Sequence, residues 1–300
     1  MSDVARFGAR LAAAMDAHGP LCVGIDPHPA LLEAWGLPDD AAGLGAFALT
    51  VLDAVGDVAA AVKPQSALFE RHGAHGVLVL ETLIEAARSR GVLTIVDAKR
   101  GDIGSTMAGY ADAYLREGST LAGDSVTLSP YLGFGSLAPA LEAASSSGRG
   151  VFALCLTSNP EGASVQHARS ADGVSVAAAI ASQAAALNAA ELASAGLGEE
   201  SFDEGSLALG SVGLVVGATI GDAARTNGVD LATVRGPLLA PGVGAQGAGA
   251  AELADVFGDA RRTVLASSSR GVLKAGPDRT ALREAALRAS EEAAVALGRA

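Results

Sequence analysis

Aromatic residues are scarce in this chain of 300 residues. Phe, Trp and Tyr together make up 4% of it, while half the residues are hydrophobic. A sizeable core is therefore available, built mostly from Ala, Val and Leu. Cysteine is nearly absent. Cys22 and Cys155 both fall in apolar, strand-like runs, where they read as buried small hydrophobes and not as a disulfide or a metal site. Positive charge is also in deficit, with a formal net charge of −12. That excludes a general surface for nucleic-acid polymers or anionic membranes. An anionic substrate must instead be held by a few local cations and backbone N–H groups. No uninterrupted apolar run reaches the roughly 18–20 residues that span a bilayer. Met1 to Phe7 shows no basic region followed by an apolar core, so no signal peptide is expected. These absences together predict a cytoplasmic protein.

Eight apolar runs are present, each followed by a helical pattern. The runs are Leu21 to Asp26, Val58 to Lys63, Leu93 to Asp97, Ser125 to Pro130, Gly150 to Thr157, Ser211 to Gly217, Pro237 to Gly242 and Thr263 to Ser268. They are continuous and not alternating, as expected for parallel strands buried on both faces. Helical patterns are read at 4–17, 47–55, 77–89, 104–115, 136–144, 174–195, 220–227, 248–256 and 278–297. Eight such units in one chain predict a single (β/α)8 TIM-barrel domain over residues 1–300, for which about 250 residues is typical. The excess is assigned to an N-terminal helical extension, a polar loop at 159–173 and an acidic loop at 196–206. A doubly wound sheet is the alternative, but no Gly-x-Gly-x-x-Gly follows the first strand.

Active sites of such barrels lie at the C-terminal ends of the strands. Those ends carry Asp26, Lys63, Asp97, Lys99, Asp102, Ser158, the loop Pro241-Gly242-Val243-Gly244-Ala245-Gln246-Gly247, and Arg270-Gly271. Asp97 and Lys99 are two apart, so on a regular strand they share a face. Lys63, Asp97, Lys99 and Asp102 alternate in sign, and an alternating cluster can keep all four ionised where an isolated buried charge is prohibitive. Lysines between carboxylates keep their protons, so Lys99 reads as a general acid and not a Schiff-base amine. A purely structural ion-pair network is the competing reading. The glycine-rich loop after the seventh run lets backbone N–H groups approach an anion. Gln246 adds an amide, and Arg270 adds a forked cation suited to phosphate. His28, His72 and His75 form no metal-ligand pattern and read as surface or loop residues.

The stretch Asp97-Ala98-Lys99-Arg100-Gly101-Asp102-Ile103-Gly104-Ser105-Thr106 resembles the D-x-K-x-x-D-I signature of the orotidine 5′-phosphate decarboxylase family, in its longer bacterial form. The resemblance extends through Val23-Gly24-Ile25-Asp26-Pro27, Val62-Lys63-Pro64, Thr157-Ser158-Asn159-Pro160, the Pro241–Gly247 loop and Ser269-Arg270-Gly271. It implies that Lys99 protonates C6 of the pyrimidine as carbon dioxide leaves. It further implies that Asp97 crowds the substrate carboxylate, with Asp102 and Lys63 completing the charged array. Asp26 and Lys63 would hold ribose hydroxyls, and Ser158 would contact the pyrimidine. Pro241, Gln246, Arg270 and the Gly271 N–H would surround the phosphate. Asp102, Ile103 and Thr106 would come from the partner subunit of a homodimer. The resemblance implies no metal and no cofactor. The D-x-K-x-x-D core is shared with metal-dependent sugar-phosphate decarboxylases and synthases, which remain an alternative. A non-catalytic protein that binds a phosphorylated ligand is a second.

Overall fold

The computed structural model describes residues 5–197, 207–243 and 248–299. Eight strands form one parallel sheet: β1 Leu21–Ile25, β2 Ala61–Pro64, β3 Ile95–Arg100, β4 Ser125–Leu128, β5 Gly150–Leu156, β6 Val212–Val216, β7 Leu238–Pro241 and β8 Val264–Ser268. Their order is β2-β1-β8-β7-β6-β5-β4-β3. The two ends of that order meet. Val62 bridges Thr94, and Gln65 bridges Asp97, both in the parallel sense. The Val62 N–H also donates to the Leu93 carbonyl at 2.8 Å. The sheet is thus a (β/α)8 barrel, closed at its β2–β3 seam by isolated bridges.

The structure moves several expected boundaries. β3 does not stop at the first charge but runs through Lys99 to Arg100. The helix expected from Phe47 begins at Ala41, because the Asp40 side chain accepts hydrogen bonds from Ala42 N and Gly43 N and caps it. The 159–173 loop contains a 3-10 turn, Pro160–Gly162, and a short helix, Ala163–Gln166. The helix expected at 220–227 shrinks to Ala223–Thr226 between Gly221 and Gly228, both at positive φ. The expected acidic loop falls outside the described residues from 198 to 206.

Among the described residues one helix, Val176–Ser194, has the length and composition of a membrane-crossing segment. It is pinned to the barrel wall. The Asn188 side chain donates to the Val212 and Val234 carbonyls at 2.8 Å each and accepts from Val212 N at 3.0 Å. Its own Ala177, Ala184 and Asn188 are fully buried.

The core has two parts. An outer layer packs Val23, Ile25, Val62, Val96 and Val126 against helix residues such as Phe47, Val51, Leu83 and Met107. An inner layer joins Cys22, Ala61, Ile95, Phe152, Val215, Leu239 and Leu265 to Phe7, Leu11 and Met15. The last three lie on the N-terminal helix, Phe7–His18, which therefore plugs the lower mouth of the barrel. The Phe7 and Phe152 rings meet edge to face at 6.0 Å. A Cβ on Gly150 would lie 2.1 Å from the Phe7 ring, so only glycine leaves room for the plug. Arg10 fastens this helix by an ion pair to Asp124 and a 3.1 Å bond to the Gly148 carbonyl. Both cysteines are buried, and burial pushes each thiol up to about 12. They are inert space-fillers, as expected.

Inward positions change character along the strands. On β1, apolar Cys22 is followed by Gly24 and then, just past the strand, Asp26. On β2, Ala61 is followed by Lys63, and on β3, Ile95 by Asp97. Alternation therefore lifts the charges onto an apolar floor, at the C-terminal mouth. Phe7→Ala should empty part of that floor and cost about 3–5 kcal/mol of stability. Urea denaturation is the check, and an unchanged midpoint would remove the helix from the core.

Candidate active site

The Asp97 carboxylate stands at the centre of the upper mouth and is almost fully buried. Its Oδ2 accepts from Lys63 Nζ at 2.8 Å and from Gln65 Nε2 at 3.0 Å. Its Oδ1 accepts from Lys99 Nζ at 2.5 Å and from Thr127 Oγ1 at 2.8 Å. Burial by itself would raise the Asp97 carboxyl. The Lys63 and then the Lys99 ammonium outweigh burial and hold it far below the usual carboxylate range. Burial likewise opposes the charge on Lys63, but Asp97 and then Asp26 outweigh it and raise Lys63 above the ordinary lysine range. Both groups stay ionised. The two lysines differ in access: the Lys63 side chain is 7% exposed and that of Lys99 is 45% exposed. Lys63 is a fixed counter-charge, whereas Lys99 opens onto the mouth.

Asp97 and Lys99 do face the same way, though not by simple alternation. Val96 pairs with Val126 and Arg100 with Leu128, so four steps along β3 span two along β4. This bulge holds Lys99 at φ +46°. Beyond it, Arg100 turns outward to pair with Glu70 and lies over the Tyr110 and Tyr114 rings at 5.7 and 5.8 Å.

Asp26 lies past the end of β1 with its Oδ1 buried and, among the described residues, unbonded. The Ser269 hydroxyl beyond β8 is in the same state. A Cβ on Gly24 would sit 2.8 Å from Ser269 Cβ and 3.0 Å from Asp26 Oδ2, so both polar groups crowd one small space. Arg270 is exposed, and among the described residues its guanidinium has no ion pair or hydrogen bond. It opens the short helix Arg270–Leu273, whose first turn includes Gly271. Exposed Ser158 follows β5, where its backbone N would lie 3.1 Å from a Cβ on Gly217 beyond β6. Pro241 ends β7, and its carbonyl accepts from Ala218 N at 2.9 Å. Gln246 lies outside the described residues.

Asp102 departs from the expected four-charge cluster. Its Oδ1 accepts from the Ile103 N–H at 2.7 Å, and among the described residues it joins no ion pair. Ile103 is 61% exposed, and Thr106 is exposed on the next helical turn. The single chain therefore assembles three of the four charges. Two ligands of Asp97, Gln65 and Thr127, were not foreseen. The signal for each was present: Gln65 is two residues past Lys63, and Thr127 is a polar residue between apolar Val126 and Leu128. Among the described residues, no three His, Cys, Asp or Glu side chains stand together so as to hold a metal ion.

Comparison with known proteins agrees with this geometry. The model of the orotidine 5′-phosphate decarboxylase / HUMPS family matches residues 19–285. A Streptomyces coelicolor protein named orotidine 5′-phosphate decarboxylase is 55% identical over 286 residues, covering 95% of this chain and 96% of its own. A Salinispora tropica protein of the same name is 56% identical over 291 residues, covering 97% and 98%. A Streptomyces avermitilis crystal structure, 55% identical, superposes with a TM-score of 0.88 over 98% of this chain and 96% of that one. Leishmania donovani OMP decarboxylase superposes with a TM-score of 0.70 at 28% identity, over 98% of this chain and all of that one. On sequence and structure alike, the chain belongs to the orotidine 5′-phosphate decarboxylase / HUMPS family.

Proposed function

We propose that the protein converts orotidine 5′-phosphate to uridine 5′-monophosphate and carbon dioxide in de novo pyrimidine biosynthesis, with Lys99 as proton donor and no metal or cofactor. The observation that carries this reading is the Lys63–Asp97–Lys99 array at the barrel mouth, with its one accessible ammonium. The bond from C6 to the carboxylate breaks and its electron pair stays on C6. The pyrimidine offers that pair little delocalisation, so a positioned cation must stabilise it. Lys99 then transfers a proton from Nζ to C6, and the neutral amine is reprotonated from solvent. Asp97 already accepts four hydrogen bonds, so it acts as a fixed negative charge. It crowds the substrate carboxylate and holds Nζ in place. The repulsion helps only if binding energy from remote parts of the substrate offsets it.

The other roles follow the rim. Asp26 and Lys63 take ribose hydroxyls, Asp26 with its unbonded Oδ1. Ser158 contacts the pyrimidine. The phosphate is held beside Pro241 by Gln246, by Arg270, which has no partner among the described residues, and by the Gly271 N–H, which has no intrahelical acceptor in a first turn. Asp102, Ile103 and Thr106 serve the neighbouring site of a cytoplasmic homodimer. Supporting this, Asp102 joins no ion pair of its own cluster among the described residues, Ile103 and Thr106 are exposed, and Ile103 lies in the same rim as exposed Tyr131 and Leu132, at 75% and 53%.

Ultraviolet-monitored loss of orotidine 5′-phosphate should proceed with a chelator present. Dependence on added metal would favour a sugar-phosphate decarboxylase or synthase. No turnover at all would favour a non-catalytic ligand-binding protein. Lys99→Ala should cut single-turnover decarboxylation by far more than tenfold, since positioned acids contribute about 10²–10⁴-fold. A smaller loss rejects Lys99 as donor.

Arg270→Ala should strongly lower kcat/KM for the nucleotide and leave the slow reaction of phosphate-free orotidine almost unchanged. Equal losses on both substrates would assign Arg270 to the scaffold.

Lys99→Ala and Asp102→Ala should each be inactive alone. After equal amounts are unfolded, mixed and reassembled, half the dimers are hybrids with one intact site each. About a quarter of wild-type activity should return, given a two-fold dimer. A dead mixture, with hybrids verified by native mass spectrometry, rejects the shared site.

A further inference from the structure

The bulge in β3 leaves a specific debt in hydrogen bonding. Between Val96 and Arg100 the ladder to β4 is interrupted, so Lys99 has no regular strand partner there. Its backbone is in the left-handed region at φ +46°, a conformation that a residue with a Cβ disfavours. The acceptor that its N–H finds is a side chain, Thr127 Oγ1, at 3.0 Å. The same hydroxyl reaches Asp97 Oδ1 at 2.8 Å. Its direction is forced. A backbone N–H only donates, so Oγ1 must accept from Lys99. An ionised carboxylate only accepts, so the hydroxyl proton must go to Asp97. Thr127 is 1% exposed, so water does not compete for either bond.

Asp97 Oδ1 in turn accepts from Lys99 Nζ. One hydroxyl therefore ties both ends of the same lysine, its backbone directly and its ammonium through the carboxylate. We infer that Thr127 is a positioning residue for the proton donor, holding the Lys99 bulge and the Asp97 carboxylate in the one arrangement that presents Nζ to C6. This rests on the reading of Lys99 given above. The bulge is the device that turns a strand residue toward the substrate, and Thr127 is the clasp that keeps it turned.

A packing role and a positioning role predict opposite orders of damage. Thr127→Val keeps the shape and removes the hydroxyl, whereas Thr127→Ser keeps the hydroxyl and removes a methyl. The loss of a hydrogen bond to a charged group corresponds to about 10–100-fold. We expect Thr127→Val to lower kcat by that factor with KM for orotidine 5′-phosphate within about twofold, and Thr127→Ser to stay within about fivefold of wild type. A crystal structure of Thr127→Val should show Lys99 out of the left-handed region. If Thr127→Val does not fold, judged by thermal melting, Thr127→Ala is compared with Thr127→Ser in the same assay and should be the more impaired in kcat. A valine or alanine variant within about threefold of wild type in kcat overturns the inference. So does a serine variant as impaired as either. Lys99→Ala runs as the control. If it retains turnover, the donor assignment fails and the inference with it. If it is dead while Thr127→Val is active, the inference alone fails.

Discussion

The structure depends on one buried carboxylate. Asp97 accepts from four donors on three strands: Lys63 and Gln65 at the end of β2, Lys99 on its own strand, and Thr127 on β4. An unpaired anion at this depth is prohibitive, and losing one partner of such a pair costs about 3–5 kcal/mol. The position matters as much as the number. The β2–β3 seam is closed by isolated bridges, one of them between Gln65 and Asp97 themselves. The charge at the centre of the mouth therefore also closes the barrel. The signs agree for Asp97 and Lys63. Asp97 is depressed, so its contribution is complete above the ordinary carboxylate value near ~4 and fades as pH falls through the depressed one. Lys63 is raised, so its contribution is complete below about 10.4 and fades as pH rises through the raised value. Across the physiological range the Asp97–Lys63 pair at the seam is fully charged.

Such a hub needs a dry support. The N-terminal helix supplies it by pushing Phe7, Leu11 and Met15 into the lower mouth, against Phe152. Small residues make this possible. Gly150 leaves space for Phe7, and a Cβ on Gly213 would come within 2.5 Å of the Phe152 ring. The scarcity of aromatics, which from composition alone meant only an aliphatic core, acquires a location here. Two of the few rings are spent together on the floor, and the strands above it can be small or polar.

The barrel was legible because each buried parallel strand leaves a continuous apolar run, and each run ends near a polar residue that the mouth requires. Lys63, Asp97 and Lys99 could be placed together for that reason. What stayed hidden had physical causes. The i, i+2 rule describes a regular strand, and β3 is bulged where it matters, so neither the left-handed Lys99 nor its clasp followed from spacing. Thr127 looked like one polar residue in an apolar run, because its partner is 30 positions away in sequence. Asp102 shares the charge alternation, but it lies past the end of β3, just before the Gly104–Tyr114 helix, and its carboxylate accepts from the Ile103 N–H instead of pairing with a lysine. The Phe7–His18 helix was visible as a helix, yet its inner packing was not, because amphipathicity does not say which surface the apolar stripe meets.

The chain holds 21 lysines and arginines, and only three are lysine: Lys63, Lys99 and Lys274. A chain that uses arginine almost everywhere else places two of its lysines on one carboxylate. Chemistry explains the exception. A guanidinium does not release its proton in a protein, so it cannot serve as an acid. Lysine is a compact charge on a thin stem, and it can give the proton away. Arg100, the next residue after Lys99, shows the contrast within one peptide unit. It faces outward, pairs with Glu70 and Tyr114, and stacks on two tyrosine rings, all of which exploit the fork. The inward lysine lies against the Asp97 carboxylate at the mouth, and the outward arginine anchors the strand that carries it. The two cations are adjacent in sequence because the bulge divides their tasks between the two faces of β3.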